Sequence, residues 1–324
     1  MKHILLFLIA TMALLLPACK DFTVYEDILG EESITVIEVE SPQDATLNPS
    51  NPNEFIYRWT DESLGPGRRY ELRKRNRISG EDYSLVKDVW YETSWSDNGW
   101  LAIGRTDNQV WVMRDDGTKL ERLTSPNNGG AFYPSISRDG KRIIYLDRDK
   151  GYNHIMLYDR ETDSVKTLIG GLYSGFDPEF SPKSDRVAYI EDKYNKAENV
   201  VEAIEQLFVY DLNTGKTNLI CEFPYGHFIF TGGINWLNED KIMVATNEYV
   251  YLVDLQSKSY EAVFEQKKKV LINAIQTYPQ SNGEKIVLNV RKWKSKKLGK
   301  EMIEDRSIEI WRVDGMKREE VLVP

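Results

Sequence analysis

The sequence predicts an all-β fold, a six-bladed β-propeller of four-stranded antiparallel sheets, and three observations predict it. A motif returns at a spacing near 43 residues. One copy is Tyr133-Pro134-Ser135-Ile136-Ser137-Arg138-Asp139-Gly140-Lys141-Arg142-Ile143-Ile144-Tyr145 and another is Asp177-Pro178-Glu179-Phe180-Ser181-Pro182-Lys183-Ser184-Asp185-Arg186-Val187-Ala188-Tyr189. Each reads as a short strand, a tight polar turn and an apolar strand. About 20 residues later comes a second strand pair, opened by Ile155–Asp159 in one unit and by Leu207–Asp211 in the other. Four strands in about 40–45 residues is the length of one propeller blade.

The third observation is that two independent landmark series keep step. Ser96, Ser137, Ser181, Leu237 and Pro279 close the first strands, at steps of 41, 44, 56 and 42 residues. Arg114, Asp159, Asp211, Asp254 and Arg312 close the third strands, at steps of 45, 52, 43 and 58. The long steps place insertions at residues 191–205 and 291–306, both between second and third strands. The units are then about 45–87, 88–126, 127–170, 171–224, 225–267 and 268–324. The first is the most irregular, with strands near Leu47–Ser50, Glu54–Tyr57, Arg69–Leu72 and Tyr83–Val86. Five blades with an N-terminal cap is the alternative. Asp-Gly pairs tolerate the dihedrals of a tight turn between antiparallel strands. Helix is expected to be scarce, with Ala197–Gln206 its best place.

The N-terminus precedes the fold. Lys2 and His3 open it, Ile4–Leu16 is apolar apart from Thr11, and the run is too short for a comfortable membrane span. Residues 1–18 therefore read as a secretory leader. The ending Leu16-Pro17-Ala18-Cys19 resembles the lipobox of bacterial lipoproteins. That resemblance implies a lipidated Cys19 at the mature N-terminus and a location in the bacterial envelope, anchored by lipid at the outer membrane, facing either the periplasm or the exterior. Residues 19–44 are expected to form a tether in which Ser33–Val39 alternates like a docking strand, and residues 45–324 the propeller. Without residues 1–18 the chain holds 41 Lys and Arg against 51 Asp and Glu, a net charge of −10. Bulk charge of that sign excludes nucleic acid as an expected partner. With Cys19 lipidated, Cys221 has no partner for a disulfide and reads as a small buried residue.

The repeat as a whole, with its Ser-Pro/Arg-Asp-Gly-Lys turn and later Tyr-Asp-x-x-Thr pattern, resembles the WD40-like (PD40-type) repeats of TolB-like propellers. Residues 133–145 with 155–168 match best, followed by 178–190 with 207–219. The resemblance covers about 85% of the mature chain. It implies the fold, and protein contacts at a channel mouth; such propellers host many unrelated tasks, so it implies no activity.

The chemistry-bearing residues point the same way. The chain has no Gly-x-Ser-x-Gly elbow and no glycine-rich phosphate loop. His154 and His227 are the only histidines after the leader and lie in different units, so no metal or other cofactor is expected. The informative segments are the blade-to-blade connections, residues 127–133, 170–177 and 225–233, rich in glycine and aromatics. Gathered at a channel mouth, they make Tyr133, Tyr173, Asp177, Tyr225 and His227 the candidate ligand-binding residues, while Phe132, Phe176 and Phe230 fit as wedges between blades. The basic runs at 68–77 and 291–300 read as solvated hairpins. The expected function is a monomeric, non-catalytic binding or scaffolding platform for an envelope protein, peptide or glycan. The alternative is a polysaccharide-active enzyme in which Asp177 pairs with Asp147 or Glu191.

Overall fold

A computed structural model describes residues 35–38, 41–61, 69–125, 129–149, 151–195, 200–266, 270–278, 281, 283–295 and 301–323. The leader, Cys19 and the tether as far as residue 34 lie outside the described residues, as do 296–300 of the second basic run. The chain divides into two units, residues 1–37 with 294–303, and residues 38–293 with 304–324. The short strand β1 (Thr35–Glu38) is hydrogen-bonded to β24 (Glu301–Arg312).

The second unit is the propeller. Its first sheet is β2 (Ser41–Leu47), β3 (Glu54–Asp61), β4 (Arg69–Asn76) and β5 (Asp82–Lys87); its second is β6 (Val89–Trp95), β7 (Trp100–Arg105), β8 (Val110–Arg114) and β9 (Glu121–Arg122). The third holds β10 (Ala131–Ile136), β11 (Arg142–Asp149), β12 (Tyr152–Asp159) and β13 (Ser164–Leu172). The fourth holds β14 (Phe176–Phe180), β15 (Arg186–Asn195), β16 (Val200–Asp211) and β17 (Lys216–Glu222). The fifth is β18 (Ile229–Trp236), β19 (Lys241–Thr246), β20 (Tyr249–Asp254) and β21 (Ser259–Glu265). The sixth is β22 (Val270–Thr277), β23 (Lys285–Ser295), β24 and β25 (Lys317–Val323). The first strands touch in the order β2, β6, β10, β14, β18, β22 and back to β2, which closes the ring. Six blades hold, and the five-blade alternative falls. The first blade begins at Ser41, a few residues ahead of the expected start at 45.

Of the helix expected at Ala197–Gln206, residues 200–206 are strand, and 197–199 lie outside the described residues. Val200 onward belongs to β16, which pairs antiparallel with β15 from Asn195↔Val200 to Arg186↔Asp211. The β-branched Val200 and Val201 and the partner strand's ladder outweigh a weak helical propensity. The two insertions are thus mostly extended hairpins; β15 and β16 run 10 and 12 residues and β23 and β24 run 11 and 12.

The core lies between blades. Ile56 and Leu72 of blade one pack with Trp95, Leu101 and Met113 of blade two. Ala102 and Val112 meet Ile136 and Ile143 across the next seam, and the pattern continues around the wheel. The closing seam joins Ala45, Leu47, Phe55 and Tyr57 of the first blade to Val287, Ile308, Ile310 and Leu322 of the sixth. Arg77 ties the same seam, donating to Tyr278 Oη at 3.1 Å and to the Glu320 carboxylate. Truncating a fully buried phenylalanine costs about 3–5 kcal/mol. Phe55→Ala is therefore expected to lower unfolding stability by that amount in a urea titration; a loss below about 1 kcal/mol would mean that the seam does not bear on ring stability.

Candidate functional site

All six first strands are kinked. The pairing of each with its second strand slips once, at Gln43/Thr46, Val89/Thr93, Phe132/Ser135, Phe176/Glu179, Ile229/Ile234 and Ile272/Ala274. At three of the kinks a non-glycine residue takes positive φ: Asp44 at 51°, Tyr133 at 52° and Asp177 at 52°. A bulge of this kind re-aims side chains and is frequent beside functional sites.

Below the kinks, a hydrogen bond crosses each of five seams. Thr46 Oγ1 donates to Thr93 O at 2.8 Å, and Ile136 N donates to Ser94 Oγ at 3.0 Å. Phe180 N donates to Ser135 Oγ at 3.2 Å, Trp236 Nε1 to Glu179 O at 3.2 Å, and Thr277 N to Asn235 Oδ1 at 3.0 Å. The repeat register puts Ser94, Ser135, Glu179, Asn235 and Thr277 at equivalent places. Four are small and neutral; Glu179 is the exception.

Glu179 accepts from Ser135 Oγ at 2.9 Å through Oε2. It lines a cavity of about 130 Å³ whose other walls include Ser94, Trp95, Ser135, Phe180 and Trp236. Burial, with the nearby Asp177 charge, pushes its carboxyl up to about 8. Asp177 is 2% exposed and does not line that cavity. Its Oδ2 accepts from Gly232 N at 2.7 Å, joining blades four and five, and its Oδ1 has no partner. Burial, opposed by the Gly232 and Gly233 amides and helped by Asp44, holds this carboxyl far above the usual carboxylate range. Asp44 itself is engaged by Arg58 at 2.6 Å.

The aromatics gather at the opposite end of the wheel, where first strands begin and the blade-to-blade connections emerge. Tyr173 follows β13, stacks on Tyr194 with centroids 4.2 Å apart, and meets Tyr152 edge-on at 5.6 Å. Tyr225 and Phe228, 77% and 50% exposed, stand on a fixed turn. His227 N donates to Pro224 O at 3.1 Å, Gly226 supplies φ of 77°, and Asn247 braces the turn by accepting from Phe228 N at 2.8 Å and donating to Gly226 O at 3.2 Å. His227 is half-buried, with Nδ1 2.8 Å from Tyr251 Oη; burial lowers its pKa, which favours the neutral ring.

The five predicted residues thus separate. Tyr173 and Tyr225 are exposed on the aromatic rim, and His227 sits beneath it as a brace. Tyr133 and Asp177 occupy equivalent kinks of the inner strands. Phe176 and Phe230 pack against the inter-blade cores as wedges. Asp147 and Glu191, the acids proposed to pair with Asp177, are raised by burial but do not line the cavity. Sequence reasoning missed Glu179. Its signal was present, a carboxylate two residues before Ser181, in register with Ser94 and Ser135. Among the described residues no group of three His, Cys, Asp or Glu side chains is placed to hold a metal ion.

With this geometry in hand, the relatives fall into place. The TolB from Acinetobacter baumannii superposes with a TM-score of 0.59 at 14% identity, over 83% of this chain and 63% of its own. The putative TolB from Agrobacterium tumefaciens gives 0.57 at 13% identity, over 76% of this chain and 86% of its own. The fold is that of the TolB-like propellers. An oligogalacturonate lyase in complex with manganese shares the architecture at a TM-score of 0.50 and 12% identity, over 69% of this chain and 65% of that one. Identities this low speak to fold alone. An uncharacterised protein of Agrobacterium fabrum is 28% identical over 128 residues, which are 35% of this chain and 40% of the relative, so the match spans less than half of either. No family model matches the chain.

A carboxyl whose native pKa stands above its unfolded value favours the native state when protonated. Its contribution is complete below its ordinary 3.8 and is lost as pH rises through the raised native value. Asp177→Asn keeps an oxygen for Gly232 N and removes the charge. The variant is expected to exceed the parent in stability by on the order of 1 kcal/mol or more at pH 8, with the gap closing near pH 4. Parallel stability curves across a urea series at those pH values would refute the buried charge.

Proposed function

We propose that the protein is a lipid-anchored lipoprotein of the bacterial envelope whose TolB-like propeller is a non-catalytic platform, binding a protein, peptide or glycan partner on its aromatic rim. The observation that carries this reading is the rim itself. Tyr152, Tyr173, Tyr225 and Phe228 are exposed large apolar side chains on one end of the wheel. Ring stacking holds Tyr152 and Tyr173, and hydrogen bonds hold the turn backbone that carries Tyr225 and Phe228, which limits the ordering entropy lost when a partner docks. Exposed aromatics of this kind are enriched at binding surfaces, where they supply anchors. The neighbours named TolB support a binding role by likeness of fold.

The polysaccharide-active alternative requires two carboxyl groups converging on an open pocket, about 5–10 Å apart. Of the two inner acids only Glu179 reaches the cavity, and Asp177 is spent on the Gly232 amide. The geometry favours binding. The anchor rests on the lipobox-like Leu16-Pro17-Ala18-Cys19, which precedes the described residues.

The test is affinity capture of the intact protein from detergent-solubilised envelopes, with identification of the captured partner. Tyr225→Ala is expected to weaken that partner's binding about tenfold or more while shifting stability by no more than about 0.5 kcal/mol, as befits an exposed side chain. Unchanged affinity in both Tyr225→Ala and Tyr173→Ala would remove the rim from the site. Separately, Cys19→Ser is expected to move the protein from the membrane to the soluble fraction; persistence in the membrane fraction would argue against lipidation.

A further inference from the structure

The cavity at the end of the channel away from the aromatic rim is used by nothing above. It receives one side chain or more from every first strand except β2, and Pro49 from the turn that follows β2. Its volume, about 130 Å³, is close to that of an engineered cavity of about 150 Å³ that takes up benzene. Its walls divide by chemistry. Trp95, Phe180 and Trp236 supply apolar surface, while Ser94 and Ser135 supply hydroxyl oxygens. Glu179 supplies the one carboxyl of the lining.

That carboxyl is out of character. Its equivalents Ser94, Ser135 and Asn235 each accept a hydrogen bond from the next blade through a neutral side chain. At the fourth seam the corresponding acceptor is the backbone oxygen of Glu179, not its side chain. The Glu179 side chain turns back to Ser135 instead. A glutamate is therefore not needed for the stitching of the wheel. What it adds is a titratable carboxyl in a small, half-apolar chamber.

We propose that this chamber binds a primary alkylammonium group, with the charged nitrogen on the Glu179 carboxylate and the alkyl stem against Trp95, Phe180 and Trp236. An ammonium has three donors and no acceptor. Glu179 Oε and the Ser94 and Ser135 hydroxyls are acceptors suited to it. A divalent metal is a poor fit, since hard cations draw several oxygen ligands and more than one carboxylate. An anion would oppose the ionisation of Glu179, and the only cation of the lining among the described residues, Arg138, already donates to Asp97 at 2.7 Å. Other charged groups near the chamber include Asp177 on the same strand, Asp185, which accepts from the lining Ser181 Oγ at 3.0 Å, and Lys74, Arg142 and Arg186, which lie over the Trp95, Phe180 and Trp236 rings respectively, Arg186 being paired with Glu239 at 2.6 Å. The nitrogen exchanges for the proton on Glu179: the proton leaves to solvent and the ammonium takes its place, so binding is stronger at high pH.

The inference stands apart from the rim reading, because it concerns the other end of the channel. Its test is calorimetry on the intact protein with n-propylammonium chloride, and with n-propanol as the uncharged twin. Propylammonium is expected to bind at least about tenfold more tightly than propanol at pH 9 and to weaken about tenfold for each pH unit well below the Glu179 pKa. Near pH 7, titrations in buffers of different ionisation heat should show net proton release. Glu179→Gln is expected to abolish the preference for the charged twin while leaving circular dichroism intact and the melting temperature no lower than the parent's; Glu179→Asp, which keeps the carboxyl, should retain part of it. A tripeptide Gly-Lys-Gly, run beside its Nε-acetylated form, identifies the source. Tighter binding than propylammonium, lost on acetylation, marks a lysine of a partner protein, whereas weaker binding marks a free amine. Equal uptake of propanol and propylammonium, or an unchanged preference in Glu179→Gln, would overturn the proposal.

Discussion

Burial of one sheet face against the next is the constraint on which this molecule depends. No four-stranded sheet here can cover its own apolar side chains, because both of its faces carry them. Val110 and Val112 of β8 point to the seam with blade three, whereas Trp95, Leu101 and Met113 of the same blade point to the seam with blade one. Each blade is therefore stable only as the filling between two others, and the sheets must run around until the last meets the first. The hydrogen bonds along the inner strands set the register of this packing and keep polar backbone near the axis satisfied. The functional surfaces follow from the same geometry. Connections between blades are forced to one end of the ring, and the turns between first and second strands to the other. The two mouths of the channel are thus built from different loops and have different chemistry.

The architecture was legible in the chain because a repeated interface demands a repeated sequence. The spacing of Ser96, Ser137 and Ser181 reports a turn that each blade must make in the same place, and Ser96 and Ser137 bond backbone groups inside those turns. The insertions were placed correctly but misread in kind at 200–206. Helical propensity is a local quantity, and the decision there was made by β15, a partner whose pairing the local sequence does not display.

The candidate sites were legible only in part, for a physical reason. The exposed tyrosines could be inferred from their place in glycine-rich connections. Asp177 could be singled out as an acid at a strand start, but its bond to Gly232, 55 residues away, depends on how two blades meet. Glu179 was hidden by the same periodicity that revealed the fold. Inside a motif copy it looks like any polar residue of a short strand. Only superposing the copies shows a carboxylate where the others hold hydroxyl or amide, and only the three-dimensional wheel shows that this position faces a chamber.

The closing seam has a topological corollary. Blade one begins at Ser41 and blade six ends at Val323, so the two ends of the propeller's covalent path lie in neighbouring blades, held together by side chains such as Phe55, Tyr57, Ile308 and Ile310. Peptide connectivity crosses the other five boundaries from one complete blade to the next, whereas at this one the short β1, just ahead of Ser41, is hydrogen-bonded to β24 of the sixth sheet. The wheel is in effect a clasped bracelet, its clasp made of side-chain packing between the first and sixth blades together with the β1–β24 pairing. It follows that the order of blades along the chain is incidental to the architecture. The same ring is compatible with a chain cut at any connector and rejoined across the clasp, which is how a circular object built from a linear polymer acquires six equivalent places to begin.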